Sequence, residues 1–565
     1  MLHARWPALA VALVACAGDP GPSPLDAASP LDASADAVDA PPPPITGPAR
    51  ARVRRYDYAL DITSDATRAA LTLELTQAGD CLTIPCRLTA VDAVTVDGAP
   101  AREVSLTDGA LRLCEPTGRG WPVGATPTVE ARATLPRATW RPTQVGYSTR
   151  RDREGNDFTY LQSWVGQCDR AGPCDNDPSA FATYRFEVTH PAGTTVLCPG
   201  TITPGDERTV CEFTHEGGPT YSTFAVMAGR SWSPVELGVA SGVRLTLYDL
   251  PSSGIAAAID PARLRAFVSW MSATFGPYPY GDALRLVVAP MYWAGFEHPG
   301  NIAISETLAR GRPEHTILHE IAHQWAGDQT TLAAVDDFVW KEAAAEYLAF
   351  TFEREQGPAS VAAATLQVWR DASSALRHHP VPVTPVPLVD FYGSAYGPGP
   401  MVLFRQLEAF SDRARVLAGL RGVLGRPRAL SVSDLRASLE RETGLSLGGY
   451  VPGWLRGDGA PTWPTVRVAR AGDSGPWTVT LDPRGESRGC RFTVRFEGAE
   501  GQRAEVRFDI APDGSGERAR TVTADFAVAR VLIDPDREAL VYPDPTNPSF
   551  ARVALPPPAT PWLAP

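Results

Sequence analysis

From Val53 to about Tyr248 apolar and polar positions alternate in short runs separated by turn residues, as in Ala70-Leu71-Thr72-Leu73-Glu74-Leu75 and Tyr184-Arg185-Phe186-Glu187-Val188. A period of two predicts half-buried strands, so this half of the chain reads as β. The period changes at Asp260-Pro261, an N-cap followed by proline at the first helical position. Leu264, Phe267, Val268 and Met271 then share one face until Gly276, which predicts a helix and sets a domain boundary near residue 250. Helical patterns continue to about Leu455, through Met401 to Phe410, Arg413 to Leu424 and a Ser431-x-x-Asp434 start that approximates a capping box. After Gly457-Asp458-Gly459, strand patterns return in Val466-Arg467-Val468, Trp477 to Leu481 and Val528 to Ile533. The reading is a multidomain α+β protein: a β domain over 49–249, a mainly helical domain over 250–458, a β-sandwich over 459–555 and a Pro-rich tail over 556–565.

Length supports that division, because 565 residues exceed what one core organises and predict three or four domains. The first residues read differently. Behind Arg5, the run from Trp6 to Ala15 is apolar but too short to span a bilayer, so 1–15 is expected to be a secretion signal. Leu13-Val14-Ala15-Cys16 resembles a bacterial lipobox, which makes Cys16 the expected site of lipidation. The tract 16–48, with Pro24-Leu25-Asp26-Ala27-Ala28, Pro30-Leu31-Asp32-Ala33 and Pro41 to Pro44, is too poor in large apolar residues to order itself and reads as a tether. No apolar run of 18 or more residues follows. The expectation is an exported protein anchored to a membrane by its lipid, on the periplasmic or cell-surface side. Beyond Cys16 stand eight cysteines, at 81, 86, 114, 168, 174, 198, 211 and 490. An even set in an exported chain points to disulfides, with Cys168/Cys174 and Cys198/Cys211 the preferred pairs and the connectivity left open. A net charge of −12 without a basic cluster speaks against nucleic acid as a partner. Lys341 is the single lysine among the basic residues.

The chemistry concentrates in a helix expected to start at Pro313, with Ile317, Leu318, Ile321, Ala322 and Trp325 as its apolar stripe and Gly327 past its end. It carries His319-Glu320-x-x-His323. Residues four apart are about 40° apart around a helix, so both imidazoles project from one face and can meet one zinc ion, with Glu320 a step round from them. With eighteen residues between it and His323 comes Glu342, at the head of a second helical run, Glu342 to Glu355, with Tyr347, Leu348 and Phe350 as apolar contacts. Two antiparallel helices would bring Glu342 to the metal. Two histidines and a glutamate leave the fourth tetrahedral position open, which defines a catalytic zinc, one per chain; a structural zinc takes four protein ligands. The competing reading is a solvated helix face that binds nothing.

His319-Glu320-Ile321-Ala322-His323-Gln324-Trp325 together with Glu342 resembles the aminopeptidase N family of zinc metallopeptidases, which includes the leukotriene hydrolases. The resemblance extends over about 53–550. It implies a saddle-like N-terminal β domain and a thermolysin-like catalytic domain, followed by the C-terminal β-sandwich. Ala294-Gly295-Phe296-Glu297-His298 resembles the family's edge-strand segment before the zinc helix, which implies that Glu297 holds the substrate's free amine, with Gly295 and Phe296 beside it. Asp390-Phe391-Tyr392 and Tyr396-Gly397-Pro398-Gly399 resemble the segment whose tyrosine donates its phenol to the tetrahedral intermediate; Tyr396 is the match and Tyr392 the weaker one. Tyr160-Leu161-Gln162 and Pro173-Cys174-Asp175-Asn176-Asp177-Pro178 resemble a signature whose glutamine reaches the first residue of the substrate.

The chain also departs from the family. Lys341 stands where asparagine is common, as does His298, Pro398 replaces a lysine, and no large helical domain follows the sandwich. Because neighbours on a helix differ by 100°, Lys341 beside a ligand is expected to point outward. His298 is left open between a substrate contact and the end of a strand, and His378-His379 are expected to be solvated. The resemblance implies hydrolysis of the first peptide bond of peptides with a free amine, with Glu320 as proton acceptor and donor. The rivals are an endopeptidase or epoxide hydrolase on the same scaffold, and a surface-anchored binding protein without catalysis.

Overall fold

The computed structural model describes residues 43–137, 145–214, 223–291, 293–376, 402–451, 465–470, 475–482 and 489–538. Cys16, Tyr392, Tyr396 and His378-His379 lie outside them.

The N-terminal part is β, as its alternation predicts. Its largest sheet runs in the spatial order 201–203, 208–213, 183–189, 50–61, 66–77, 128–134, 93–96 and 99–100. Arg50–Asp61 pairs antiparallel with Ala66–Gln77 and parallel with Thr183–Thr189. Tyr56 and Tyr58 lie on one face of this sheet and stack on Tyr184 and Phe186, with ring centroids 5.1 Å and 5.6 Å apart. A second, four-stranded sheet contains Asp157–Gln162, which places Gln162 at a strand end.

The middle of the chain is organised by a five-stranded sheet in the order Ser233–Ala240, Val243–Asp249, Ala283–Ala289, Asn301–Ser305, Gly295–Phe296. Its three central strands are parallel, and Leu284, Leu286, Val287, Val288, Ile302 and Ile304 are wholly buried. Near-continuous apolar runs are what a parallel sheet covered on both faces requires. Gly295–Phe296 pairs antiparallel with Asn301–Ser305 and forms the edge. The hairpin Ser233–Asp249 belongs to this sheet, so hydrogen bonding continues across residue 250, where the pattern of strands then helices places a boundary. Periodicity identifies a strand but says nothing of its partner.

Eight helices among the described residues follow: α1 (Ile255–Ala258), α2 (Pro261–Phe275), α3 (Pro313–His323), α4 (Phe338–Gln356), α5 (Ala359–Leu376), α6 (Val402–Phe410), α7 (Arg413–Arg421) and α8 (Val432–Thr443). The Asp260 side chain caps α2 by accepting from the Ala262 amide at 2.9 Å. Ser431 and Asp434 form the capping box of α8. Two spans differ from the sequence reading. α3 stops at His323, before Gly327, because the chain tightens into a turn at Gln324 and Trp325. α4 begins four residues before Glu342: Asp337 accepts the Ala334 amide at 3.1 Å and the Val432 amide at 3.1 Å, which anchors an earlier start. Phe338, Val339, Trp340 and Lys341 are each 1% exposed or less. A turn buried on all sides has no polar face for periodicity to detect.

The C-terminal strands form two three-stranded sheets, 465–470/477–482/519–522 and 503–510/490–498/528–533. Trp477 of one lies 5.5 Å from Phe496 of the other, ring to ring, consistent with the sandwich. Cys168–Cys174 and Cys198–Cys211 are disulfide-bonded, as preferred from the sequence, and Cys81–Cys114 is a further bond between directly paired strand positions. Cys86 and Cys490 are free thiols, and burial pushes them up to about 11 and about 12. Among the described residues no helix is long and apolar enough to cross a membrane.

Candidate active site and metal centre

α3 and α4 pack antiparallel beneath the edge strand, and this packing brings together the three ligands expected from the sequence. His319 Nε2 and His323 Nε2 are 3.0 Å apart, and each is 3.4 Å from Glu342 Oε2. Zinc bonds of about 2.0–2.2 Å at tetrahedral angles hold ligand atoms roughly 3.3–3.5 Å from one another, so this donor set fits the ion with little movement. All three donors are chemically right for it: two imidazole nitrogens and one carboxylate oxygen. Burial opposes ionisation of Glu342, yet Lys341, His323 and His319 together hold it well below the usual carboxylate range.

Behind the ligands stands a buried chain that the motif does not announce. His319 Nδ1 is 2.8 Å from Glu346 Oε2, and His323 Nδ1 is 3.0 Å from the Ala326 carbonyl. Each contact fixes a ring so that Nε2 faces the metal position. Glu346 Oε1 in turn takes His315 Nε2 at 2.8 Å and the Trp369 indole N–H at 2.7 Å. His315 Nδ1 reaches Glu353 at 2.9 Å, and Glu353 accepts from Thr365 at 3.0 Å. A ring with a carboxylate on each nitrogen donates from both only as imidazolium. Although burial works against the charge, Glu346 and Glu353 push His315 up to about 9. The signals for these residues were present: His315 lies four before His319, and Glu346 four after Glu342, on the same helix faces.

Glu320, 6% exposed, faces the edge strand at Gly295. A Cβ at position 295 would lie 2.4 Å from Glu320 Oε1 and 2.6 Å from its Cδ. The missing side chain is therefore what gives this carboxylate its place. Burial pushes Glu320 up to about 8, aided by Glu297 and Glu342 and opposed by His319.

Glu297 follows that strand and is 4% exposed. Its Oε1 accepts from the Trp164 indole N–H at 3.0 Å and lies 2.7 Å from Lys341 Nζ. Gln324, just past α3, donates to the Glu297 carbonyl at 2.7 Å and accepts from the Gly300 amide at 2.9 Å, which locks the loop onto the zinc helix. Burial disfavours charge on Glu297, but Lys341 and His323 bring it down to about 2.

Lys341 corrects the outward orientation expected of it. It is 1% exposed, and Nζ bridges Glu297 to Glu342 Oε1, the latter at 2.5 Å. The reason is the buried first turn of α4, which has no solvent side to point to. His298 is fully buried, with Nε2 3.2 Å from the Ser163 carbonyl and its ring stacked on Phe296 at 5.4 Å. It therefore ties the edge strand to the segment that supplies Trp164. Phe296 and Gln162 are buried as well. Tyr396 falls outside the described residues.

Residues 267–384 match the family model for the peptidase family M1 domain, in agreement with the resemblance read from the motifs. Among curated relatives, leucine aminopeptidase 2 of Chaetomium globosum is 24% identical over 313 residues, covering 52% of this chain and 49% of its own. Aminopeptidase N of Streptomyces lividans is 27% identical, covering 53% and 38%. A leukotriene A-4 hydrolase homolog of Botryotinia fuckeliana is 25% identical, covering 56% and 50%. The chain thus spans about half the length or less of these relatives. The fold matches the crystal structure of the M1 zinc metallopeptidase from Deinococcus radiodurans, with a TM-score of 0.61 at 19% identity, covering 73% of this chain and 95% of that one.

Two outcomes follow from this geometry. Glu346→Gln removes the charge that orients His319 and should weaken zinc binding about 10–100-fold, read by chelator competition; an unchanged affinity would show that Glu346 does not position the ligand. Gly295→Ala meets only the flexible end of Glu320. It should leave zinc content and melting temperature near wild type while kcat falls on the order of 100-fold, because the carboxylate is displaced by about 1 Å.

Proposed function

We propose that this protein is a zinc-dependent aminopeptidase that hydrolyses the first peptide bond of peptides. The observation that carries the reading is the joint presence of a ligand triad with ion-fitting spacing, a buried Glu320 beside it, and a second buried carboxylate, Glu297, one ammonium's width from Glu342. Sequence relatives that are aminopeptidases support it.

His319, His323 and Glu342 would hold the ion. When bound, zinc supplies a Lewis acid that polarises a carbonyl and acidifies water. Glu320 takes a proton from the attacking water and returns it to the departing amine; a carboxyl raised by burial holds that proton more firmly than an exposed one. Glu297 stays ionised and marks where the amino end of the peptide docks, with Gly295, Phe296 and Gln162 around it. Tyr396 would donate its phenol to the oxyanion, as the family resemblance implies.

The proposal includes export and a lipid anchor on Cys16. The apolar start with its lipobox-like end supports this, as does the disulfide bonding of six cysteines, which suits an oxidising compartment.

Purified protein should contain one zinc per chain and release fluorophore from aminoacyl amides, with loss on chelation and recovery on adding zinc. Glu320→Gln should retain the metal and lose about 10²–10⁴-fold in kcat. Zinc-loaded wild type inactive on a full panel of amides, or a Glu320→Gln variant as fast as wild type, would overturn the assignment.

A further inference from the structure

The chain's single lysine occupies a socket built for it. Its stem crosses Gly327, where a Cβ would stand 2.7 Å, 2.9 Å and 3.0 Å from Lys341 Cγ, Cδ and Cε, and where φ is +137°. A side chain at 327 is thus incompatible with an inward Lys341. The ammonium lies 5.6 Å from the centre of the Trp164 ring, whose N–H donates to the same oxygen of Glu297 that Lys341 pairs with. On its other side Nζ holds Glu342 Oε1, leaving Oε2 to face the two histidines.

A carboxylate recognises a substrate ammonium by offering it an uncompensated charge in a site with little water. Glu297 does not offer that. Its Oε1 is already paired with the Lys341 ammonium, so an arriving α-ammonium must share one carboxylate with a second cation at hydrogen-bonding range. A neutral, acylated N-terminus meets no such repulsion.

We propose that Lys341 is a specificity-determining residue that keeps the preference for a free α-amine shallow, so that the site also takes peptides with acylated, uncharged N-termini. The inference rests on the aminopeptidase reading for where the amino end of the substrate lies.

The test compares a leucyl fluorogenic amide with its N-acetyl counterpart, in wild type, Lys341→Met and Lys341→Gln, each brought to one zinc per chain by elemental analysis. Methionine keeps the apolar stem over Gly327, and glutamine keeps a hydrogen-bonding tip. In wild type the two kcat/KM values should lie within about tenfold, and in both variants the free-to-blocked ratio should rise at least about tenfold through a lower KM for the free amine. A ratio that is unchanged or lower in both variants overturns the proposal. Absence of turnover on both substrates by zinc-loaded wild type removes the aminopeptidase reading instead. Calorimetry with L-leucinamide and N-acetyl-L-leucinamide then decides the role of Lys341: tighter leucinamide binding in the variants upholds it, and no gain overturns it.

Discussion

The centre depends on one contact, the antiparallel packing of α3 against α4, because that contact sets a row of bases against a row of acids inside the protein. His315 faces Glu346 and Glu353, His319 faces Glu342 and Glu346, and His323 faces Glu342. Each buried charge costs several kcal/mol if left alone, and removing one partner of such a pair typically costs about 3–5 kcal/mol. A slip of one residue along either helix would rotate every acid about 100° away from its partner. The register of the two helices is therefore fixed by the same charges that hold the metal ligands, and the site cannot drift without the core paying in full.

Two missing side chains matter as much as those present. Gly295 makes room for the carboxylate of Glu320, and Gly327 makes room for the stem of Lys341. Both lie in segments bound at the C-terminal end of α3: Gln324 holds the Glu297 carbonyl just after the edge strand, and Gly327 donates its amide to the Thr330 carbonyl in the turn that follows. Glu320 and Lys341 are thus placed by backbone that α3 and the turn after it secure.

The ligand triad and Glu320 were legible in the sequence because each sits in a local spacing with a chemical reason, Glu297 was reached only through the family resemblance of its segment, and the strand and helix blocks were legible from their periods. The line His315, Glu346, Glu353 was not read, although its members repeat at helical spacing. Pairing between helices is a tertiary fact, and an isolated histidine or glutamate is most simply solvated. The inward Lys341 and the early start of α4 were missed for a common reason: a segment buried all round presents no amphipathic contrast. The sheet that crosses residue 250 escaped because alternation reports a strand and not its neighbour.

Two carboxylates of this site, Glu297 and Glu320, are almost equally buried, at 4% and 6% exposure, yet their proton affinities separate widely. Burial raises both. Glu297 is brought to about 2 by the Lys341 ammonium at 2.7 Å and the further pull of His323, while for Glu320 the raising influence of burial, Glu297 and Glu342 outweighs His319 and the weaker pull of Lys341, which leaves it raised to about 8. Groups whose surroundings drive them apart in this way divide the labour of a site. On the reading proposed above, the low one would serve recognition and the high one would exchange a proton with water and leaving group. Reversing that separation would require moving Lys341, whose stem lies against Gly327. The lone lysine therefore does more than balance charge: its position beside Glu297 sets that carboxylate apart from Glu320.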